Sequence, residues 1–375
     1  MGKGKAIVIG AGIVGLATAR ALAVKGFAVQ GFERGDKATG ASVRNFGMVW
    51  PVGQPDGLLY ERALRSRNIW EEISKNGAFW SDPVGSLHVA HTEIEWTVLQ
   101  ELYEEFKTDR PVKLLSAAQI AEQTSAVVQT NLRGGLYSAD ELIVDPREAI
   151  AALPGYLEEK YAVDFFWNRC VSYISENTVY IGNEEDYEAD FIFICSGSDF
   201  ETLYPEDFAA YPLTKCKLQM MRLAAQSNEW RIGPALCGGL SLTHYNSFKV
   251  APSLPQLRAF FEEEMSCYGE WGIHVMVSQN AAGELTIGDS HEYGNTHDPF
   301  DKALINQLIL DYLKKFAAFN DWTVIQTWNG IYPKMTNGET ELFFSPEAGV
   351  YVLNGLGGAG MTLSFGLAEE IVKGL

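Results

Sequence analysis

Residues 6–34 read AIVIGAGIVGLATARALAVKGFAVQGFER. A short apolar run, Ala6 to Ile9, leads straight into Gly10-Ala11-Gly12-Ile13-Val14-Gly15. A helix-period pattern follows through Leu16, Ala19, Ala21, Leu22 and Val24, and a second apolar run, Phe27 to Phe32, ends at Glu33 and Arg34. Strand, glycine turn, helix, strand and acid in this order form the βαβ unit that holds a dinucleotide. Gly10 permits the tight turn, Gly12 lets a pyrophosphate approach the backbone, and Gly15 lets the helix pack close to the strand. The helix N-terminus at Ile13 and Val14 presents free N–H groups and a positive dipole end to phosphate. Glu33 stands where a carboxylate accepts hydrogen bonds from ribose hydroxyls, which argues against the 2′-phosphate of NADP and leaves FAD and NAD open.

The formal net charge is −19 over 375 residues. That field repels nucleic acid and anionic lipid, so neither is an expected partner, and an anionic substrate would need a local positive cluster. No apolar leader precedes the first strand, and no apolar run approaches the ~20 residues that span a bilayer, so a cytoplasmic protein is expected. The five cysteines, Cys170, Cys195, Cys216, Cys237 and Cys267, form no CxxC pair, and reduced thiols with no metal site are expected.

Helices are expected at about 57–75, 94–107, 117–123, 147–160, 255–265 and 299–318. Strands are expected within 163–182 and 187–195. Asp190-Phe-Ile-Phe-Ile-Cys195 reads as a strand buried on both faces. Segments 214–225, 240–251, 272–279 and 283–289 alternate and look antiparallel. A strand at 349–354, a glycine loop and a helix from Met361 to Val372 close the chain.

Three further segments carry chemistry. Gly40-Ala-Ser-Val-Arg-Asn-Phe-Gly-Met48 sets Ala41, Ser42, Arg44, Asn45, Gly47 and Met48 beside the glycine turn, with polar groups for pyrophosphate and a ring system. Cys195-Ser196-Gly197 ends a buried strand in small residues. Asn354-Gly-Leu-Gly-Gly-Ala-Gly-Met-Thr362 enters a helix, so Gly357, Gly358, Ala359, Gly360, Met361 and Thr362 would present N–H groups to the charge a reduced flavin carries near N1.

Taken together, GAGIVGLATARAL (10–22), FER (32–34), GASVRNFGMV (40–49), ADFIFICSGSD (189–199), WNGIYP (328–333) and LNGLGGAGMTLSFGLAEEI (353–371) resemble the D-amino-acid oxidase-like FAD-dependent oxidoreductases, which include glycine and sarcosine oxidases. The resemblance implies an α/β (α+β overall) fold: a Rossmann-type FAD-binding domain, discontinuous in sequence, with a mixed, largely antiparallel substrate domain. Residues 1–85, 141–213 and 325–375 are assigned to the first and 86–140 and 214–324 to the second. The resemblance also implies that Val171 meets the adenine and that Gly330 lies beside the flavin. The segments 242–248, 272–279 and 288–294 are similar to a bacterial subgroup associated with aminoalkylphosphonate breakdown.

Two departures from that family bear on the substrate. Tyr332 stands where amino-acid-oxidising relatives carry a carboxylate-binding Arg, with Lys334 two residues on. No lysine occurs between Lys249 and Lys302, where sarcosine oxidases hold one for oxygen, so oxygen or another electron acceptor remains open. No cysteine follows Cys267 and no histidine precedes His88, so FAD is expected to be non-covalent.

His244, Tyr245 and His274, with Trp328, Tyr332 and Lys334, are the candidate catalytic residues, and His291 joins them in alternating segments of the substrate domain. His88, His91 and His297 are expected at the surface. A histidine zinc triad lacks ligand-like spacing, so no metal is expected. The expected reaction is oxidation of a small primary or secondary amine by hydride transfer to flavin N5, giving an imine that hydrolyses. The alternatives are an NAD-dependent dehydrogenase and a non-catalytic flavin-binding subunit. An oligomer is compatible with the sequence.

Overall fold

The computed structural model describes residues 3–182 and 185–375. Strand Lys5–Ile9 lies between Ala28–Glu33 and Phe191–Ile194, parallel to both. The whole sheet runs Leu342–Glu347, Val350–Asn354, Phe191–Ile194, Lys5–Ile9, Ala28–Glu33, Asp164–Trp167. Only its first pair is antiparallel. Alternate side chains of the central strands feed two cores. Ala6 and Val8 pack under the helices with Leu16, Trp70 and Phe365, and Ile7 and Ile9 pack opposite with Phe32 and Ile192. Burial on both faces is why these strands read as continuous apolar runs. The first helix, Ile13–Lys25, stops at Gly26, whose left-handed φ of 99° closes the C-terminus.

A nine-stranded mixed sheet carries the substrate side. Its hub is Leu213–Leu223, which pairs with Leu285–Gly288, Glu292–Gly294 and the twelve-residue strand Val324–Met335. That last strand corrects the expected boundary at 325. Its whole length pairs in the substrate sheet, and the chain returns to the parallel sheet only at Leu342.

The expected strand at 240–251 is instead two 3₁₀ turns, Gly239–Thr243 and Asn246–Val250. Leu240 and Leu242 mimic a strand period, but the Leu240 N–H donates to the Tyr312 hydroxyl at 2.9 Å rather than to a neighbouring strand. The other expected helices fall within a few residues of their observed bounds, the largest difference being a start at Ala303 instead of 299.

Glu141, directly before the short strand Leu142–Val144, has no solvent exposure. Its carboxylate accepts from the Val52 N–H at 2.9 Å and the Ser86 hydroxyl at 3.0 Å. Burial nonetheless raises its pKa from 4.5 to about 7. A carboxyl raised in the folded state holds its proton there more tightly than in the unfolded chain. Stability therefore falls as pH rises from 4.5 to about 7 and is level in this respect above it. The shift corresponds to about 3 kcal/mol. Urea denaturation at both ends of this window should show wild type losing more stability than Glu141→Gln by a difference of that order. Parallel losses in the two proteins would contradict the assignment.

Candidate active site

The C-terminal end of the parallel sheet opens into a cavity of about 1160 Å³ that continues to the substrate sheet. Ligands bind at such strand ends in doubly wound sheets, next to the strand where the order reverses. Single-ligand sites span ~300–1,000 Å³, so this space has room for an extended dinucleotide and a small substrate.

At the nucleotide end the cavity is lined by Gly10, Gly12, Ile13 and Val14, and beside them by Glu33, Arg34 and Val171. Gly10 holds φ at 105°, with a would-be Cβ 2.4 Å from the Cys195 carbonyl oxygen. Gly12 caps the first helix without a side-chain bond, which leaves backbone N–H groups turned to the cavity. The Ile13 N–H is held by the Ser42 hydroxyl at 2.9 Å. Glu33 accepts from Ala11 N–H at 3.0 Å and Gly35 N–H at 3.1 Å. Those two bonds fix a carboxylate that has lone pairs left for ribose hydroxyls. Arg34 is paired with Asp199 at 2.9 Å.

Ala41, Ser42, Arg44, Asn45 and Met48 line the cavity from the loop after the second strand. The Arg44 guanidinium donates to the carbonyls of Thr39 and Asn329, and Asn45 braces the loop through Ala41, Ser42 and Gly47. These side chains hold the loop's shape, which their types alone did not show. Cys195, Ser196 and Gly197 also line the cavity. Burial pushes the Cys195 thiol up to about 12, so it acts as a small apolar group.

Gly15 and Gly47 lie outside the cavity. A Cβ on Gly15 would sit 1.8 Å from the Gly10 carbonyl oxygen, and one on Gly47 would sit 1.9 Å from the Val144 carbonyl oxygen. Both are close-packing glycines beneath the site. Trp328 is also outside. Its indole N–H donates to the Arg44 carbonyl at 3.2 Å and Arg147 covers its ring, so it buttresses the loop from behind.

Gly330 and the run Gly357, Gly358, Ala359, Gly360, Met361 and Thr362 line the other end. Gly357–Ala359 form a 3₁₀ turn into the helix Gly360–Lys373. The N-terminus of that fourteen-residue helix faces the cavity, a position that favours negative charge. Thr362 uses its hydroxyl to accept from the Trp50 N–H at 2.9 Å.

His244, Tyr245, His274, Tyr332 and Lys334 all line the cavity, as does His291. His244 is open to the cavity through its 3₁₀ turn, whereas His274 and His291 are buried. The three imidazoles cluster, with ring centroids 3.9 Å apart for the tilted pair His244 and His274 and 5.1 Å for the stacked pair His274 and His291. Burial holds the His274 and His291 pKa values down, that of His291 to about 4, with Lys334 adding in the same direction. These two are neutral at pH 7. The His291 Nδ1 meets the Gly272 carbonyl at 2.9 Å. His274 Nε2 lies 3.1 Å from Asp289 Oδ1, and burial raises the Asp289 carboxyl.

Asp289 was not legible as a site residue, although a lone carboxylate directly after the buried strand Leu285–Gly288 was a usable sign. His88 corrects another expectation. It is 1% exposed in the fully buried strand Ser86–Ala90, between Trp50 and Phe248, with its pKa pushed down to about 3. His91 and His297 are partly buried, and each ring bonds a backbone carbonyl.

The architecture, glycine turn and C-terminal glycine loop can be set against known proteins. The model of the DAO family, described as FAD dependent oxidoreductase, matches residues 5–373. The chain belongs to this family of FAD-dependent oxidoreductases. FAD is therefore the cofactor, and the NAD-dependent alternative falls. Among curated proteins none matches the chain.

Solved structures share its fold. Glycine oxidase from Geobacillus kaustophilus is 19% identical over 99% of this chain and 94% of its own, with a TM-score of 0.74. L-proline dehydrogenase from P. horikoshii is 18% identical over 99% and 93%, with a TM-score of 0.76. L-alpha-glycerophosphate oxidase from Mycoplasma pneumoniae, with FAD bound, is 16% identical over 100% and 96%, with a TM-score of 0.73. Among the described residues no helix is long and apolar enough to cross a membrane.

Proposed function

We propose that this protein oxidises the C–N bond of a small primary or secondary amine that carries a non-carboxylate anionic head group, of the aminophosphonate class. One observation carries the reading. Four cationic side chains line the cavity, Arg34, Arg44, Arg169 and Lys334. The first is paired with Asp199, the second with two carbonyls and the third with Glu185. Lys334 alone donates only to a phenol, Tyr293, at 3.0 Å. It lies two positions beyond Tyr332, which replaces the planar fork suited to a carboxylate by a hydroxyl and a point charge. The glycine and proline oxidoreductases of similar fold, by their names, act on amines, and the glycerophosphate oxidase on a phosphate-bearing substrate. Those names support the class and do not extend to the compound.

When bound, without a covalent link, FAD would take the hydride equivalent from the carbon bearing the amine. The chain's part is alignment and electrostatics. Gly330 and the loop 357–360 would seat the ring, and the helix N-terminus behind them favours the charge that reduction brings. Lys334 and Tyr332 would hold the head group, so that the amine-bearing carbon faces the ring. The substrate reacts as the free amine, whose lone pair drives imine formation. Water then adds to the imine, and a carbonyl compound and an amine leave. Oxygen or another acceptor takes up the two electrons.

Because only the free amine reacts, kcat/KM should rise with pH up to about the pKa of the substrate amine, near ~10 for a simple alkylamine. Steady-state rates across the alkaline range test this. A kcat/KM that falls with rising pH would contradict reaction through the free amine.

A further inference from the structure

We propose that His244, His274 and His291 form a binding site for a divalent transition-metal ion, Zn²⁺ in the first instance, at the substrate end of the cavity. One ring nitrogen from each residue lies within 4.8 Å of the others. The residues are 30 and 17 positions apart and come from three separate segments, so sequence spacing conceals the cluster.

The outer contacts favour coordination. Metal-bound histidines hold the ring nitrogen that is not ligating against a carbonyl or a carboxylate, which fixes the tautomer and aims the free lone pair inward. His291 has such a contact through Nδ1 and Gly272 O at 2.9 Å. His274 Nε2 lies 3.1 Å from Asp289 Oδ1 without a hydrogen bond between them, and both that oxygen and His274 Nδ1 are buried without a partner among the described residues, so a rotation of the ring on metal binding would satisfy them. His244, on the open turn, supplies the third nitrogen from the accessible side.

Three imidazoles and a free fourth position make the ligand set of a catalytic zinc site, and imidazole also suits Co²⁺ and Ni²⁺. Tetrahedral ligands at ~2.0–2.1 Å stand about 3.4 Å apart, so the rings must rotate inward on binding. Two features set the charge balance. Lys334 opposes a cation, and its ammonium donates to the Tyr293 hydroxyl at 3.0 Å. The Asp289 carboxylate, 3.1 Å from His274 Nε2, favours one once it is deprotonated. The fourth position opens to the cavity and would take an oxygen of an anionic head group. That role rests on the proposed function, whereas metal binding does not.

The test uses the flavin-loaded protein, stripped with a chelator and titrated with Zn²⁺ alone by calorimetry. Bound metal is counted by elemental analysis, and Co²⁺ is added as a spectroscopic probe. The expected result is about one Zn²⁺ per chain and a tetrahedral Co²⁺ band at longer wavelength than the flavin absorbance. His291→Ala should abolish stoichiometric binding. His244→Gln, on the open turn, should weaken it at least ~100-fold, and Asp289→Asn by ~10–100-fold. Flavin content and Tm report folding, and the open-turn variant decides the matter if a buried variant fails to fold. Substoichiometric Zn²⁺ in the unmutated protein overturns the proposal, as does an affinity unchanged by His244→Gln. Amine-dependent flavin bleaching is read separately, so failure of the metal site and failure of amine oxidation are distinguishable.

Discussion

Gly15→Ala should purify without flavin. The added methyl would lie 1.8 Å from the Gly10 carbonyl oxygen and 3.4 Å from Val8 Cγ1. The Gly10 backbone cannot yield, because it is fixed by its N–H bond to Phe32 O at 2.7 Å and by its left-handed φ. The helix Ile13–Lys25 must move away from the strand, and its N-terminus loses the position proposed for the pyrophosphate. Overpacking of this kind costs ~1–3 kcal/mol of stability, and the displaced anion site costs affinity beyond it. Absorbance of the purified protein and flavin-fluorescence titration read the outcome. Gly155→Ala is the control. Gly155 lies exposed in the helix Pro146–Tyr161 with nothing within 4 Å of the added methyl. That variant should keep its flavin and gain ~0.5–1 kcal/mol. Equal flavin content in both variants would contradict the role given to Gly15.

Lys334→Met should leave flavin content unchanged and raise the KM for an anionic amine by ~10–100-fold. A charge-assisted hydrogen bond contributes ~1.5–3 kcal/mol, and the other cavity cations are committed to Asp199, Glu185 and backbone carbonyls. Lys334→Arg should recover part of the loss. For a neutral alkylamine the variant and the wild type should differ little. A loss of the same size for both kinds of amine would assign Lys334 to structure rather than to the head group.

The nucleotide half was readable because its chemistry is local. Gly10 to Gly15 and Glu33 belong to one continuous unit, and the groups proposed to hold the nucleotide are mostly backbone N–H groups, so spacing alone points to them. Residues 355–360 were readable for the same reason. The substrate half is assembled from distant segments. His244, His274 and His291 meet only after the 3₁₀ turn at 239–243 and the strand ends near 275 and 290 are in place. Trp328 was misplaced because it shares a strand face with Gly330, Tyr332 and Lys334 but lies farther along the strand, beyond the cavity and against Arg44 and Arg147. Residues 324–335 look like a continuation of the nucleotide half only until the pairing of Leu213–Leu223 with that strand is seen. His88 sits between Leu87 and Val89, an apolar setting that already pointed to a strand covered on both faces.

Bound FAD should be reduced by a small amine recognised through a non-carboxylate anion. Anaerobic spectra of the yellow protein, taken with glycine, sarcosine, D-alanine, 2-aminoethylphosphonate and its N-methyl form, decide this. An aminophosphonate should bleach the flavin absorbance while the amino acids do so slowly or not at all. Bleaching by D-alanine or glycine with no response to either aminophosphonate would contradict it.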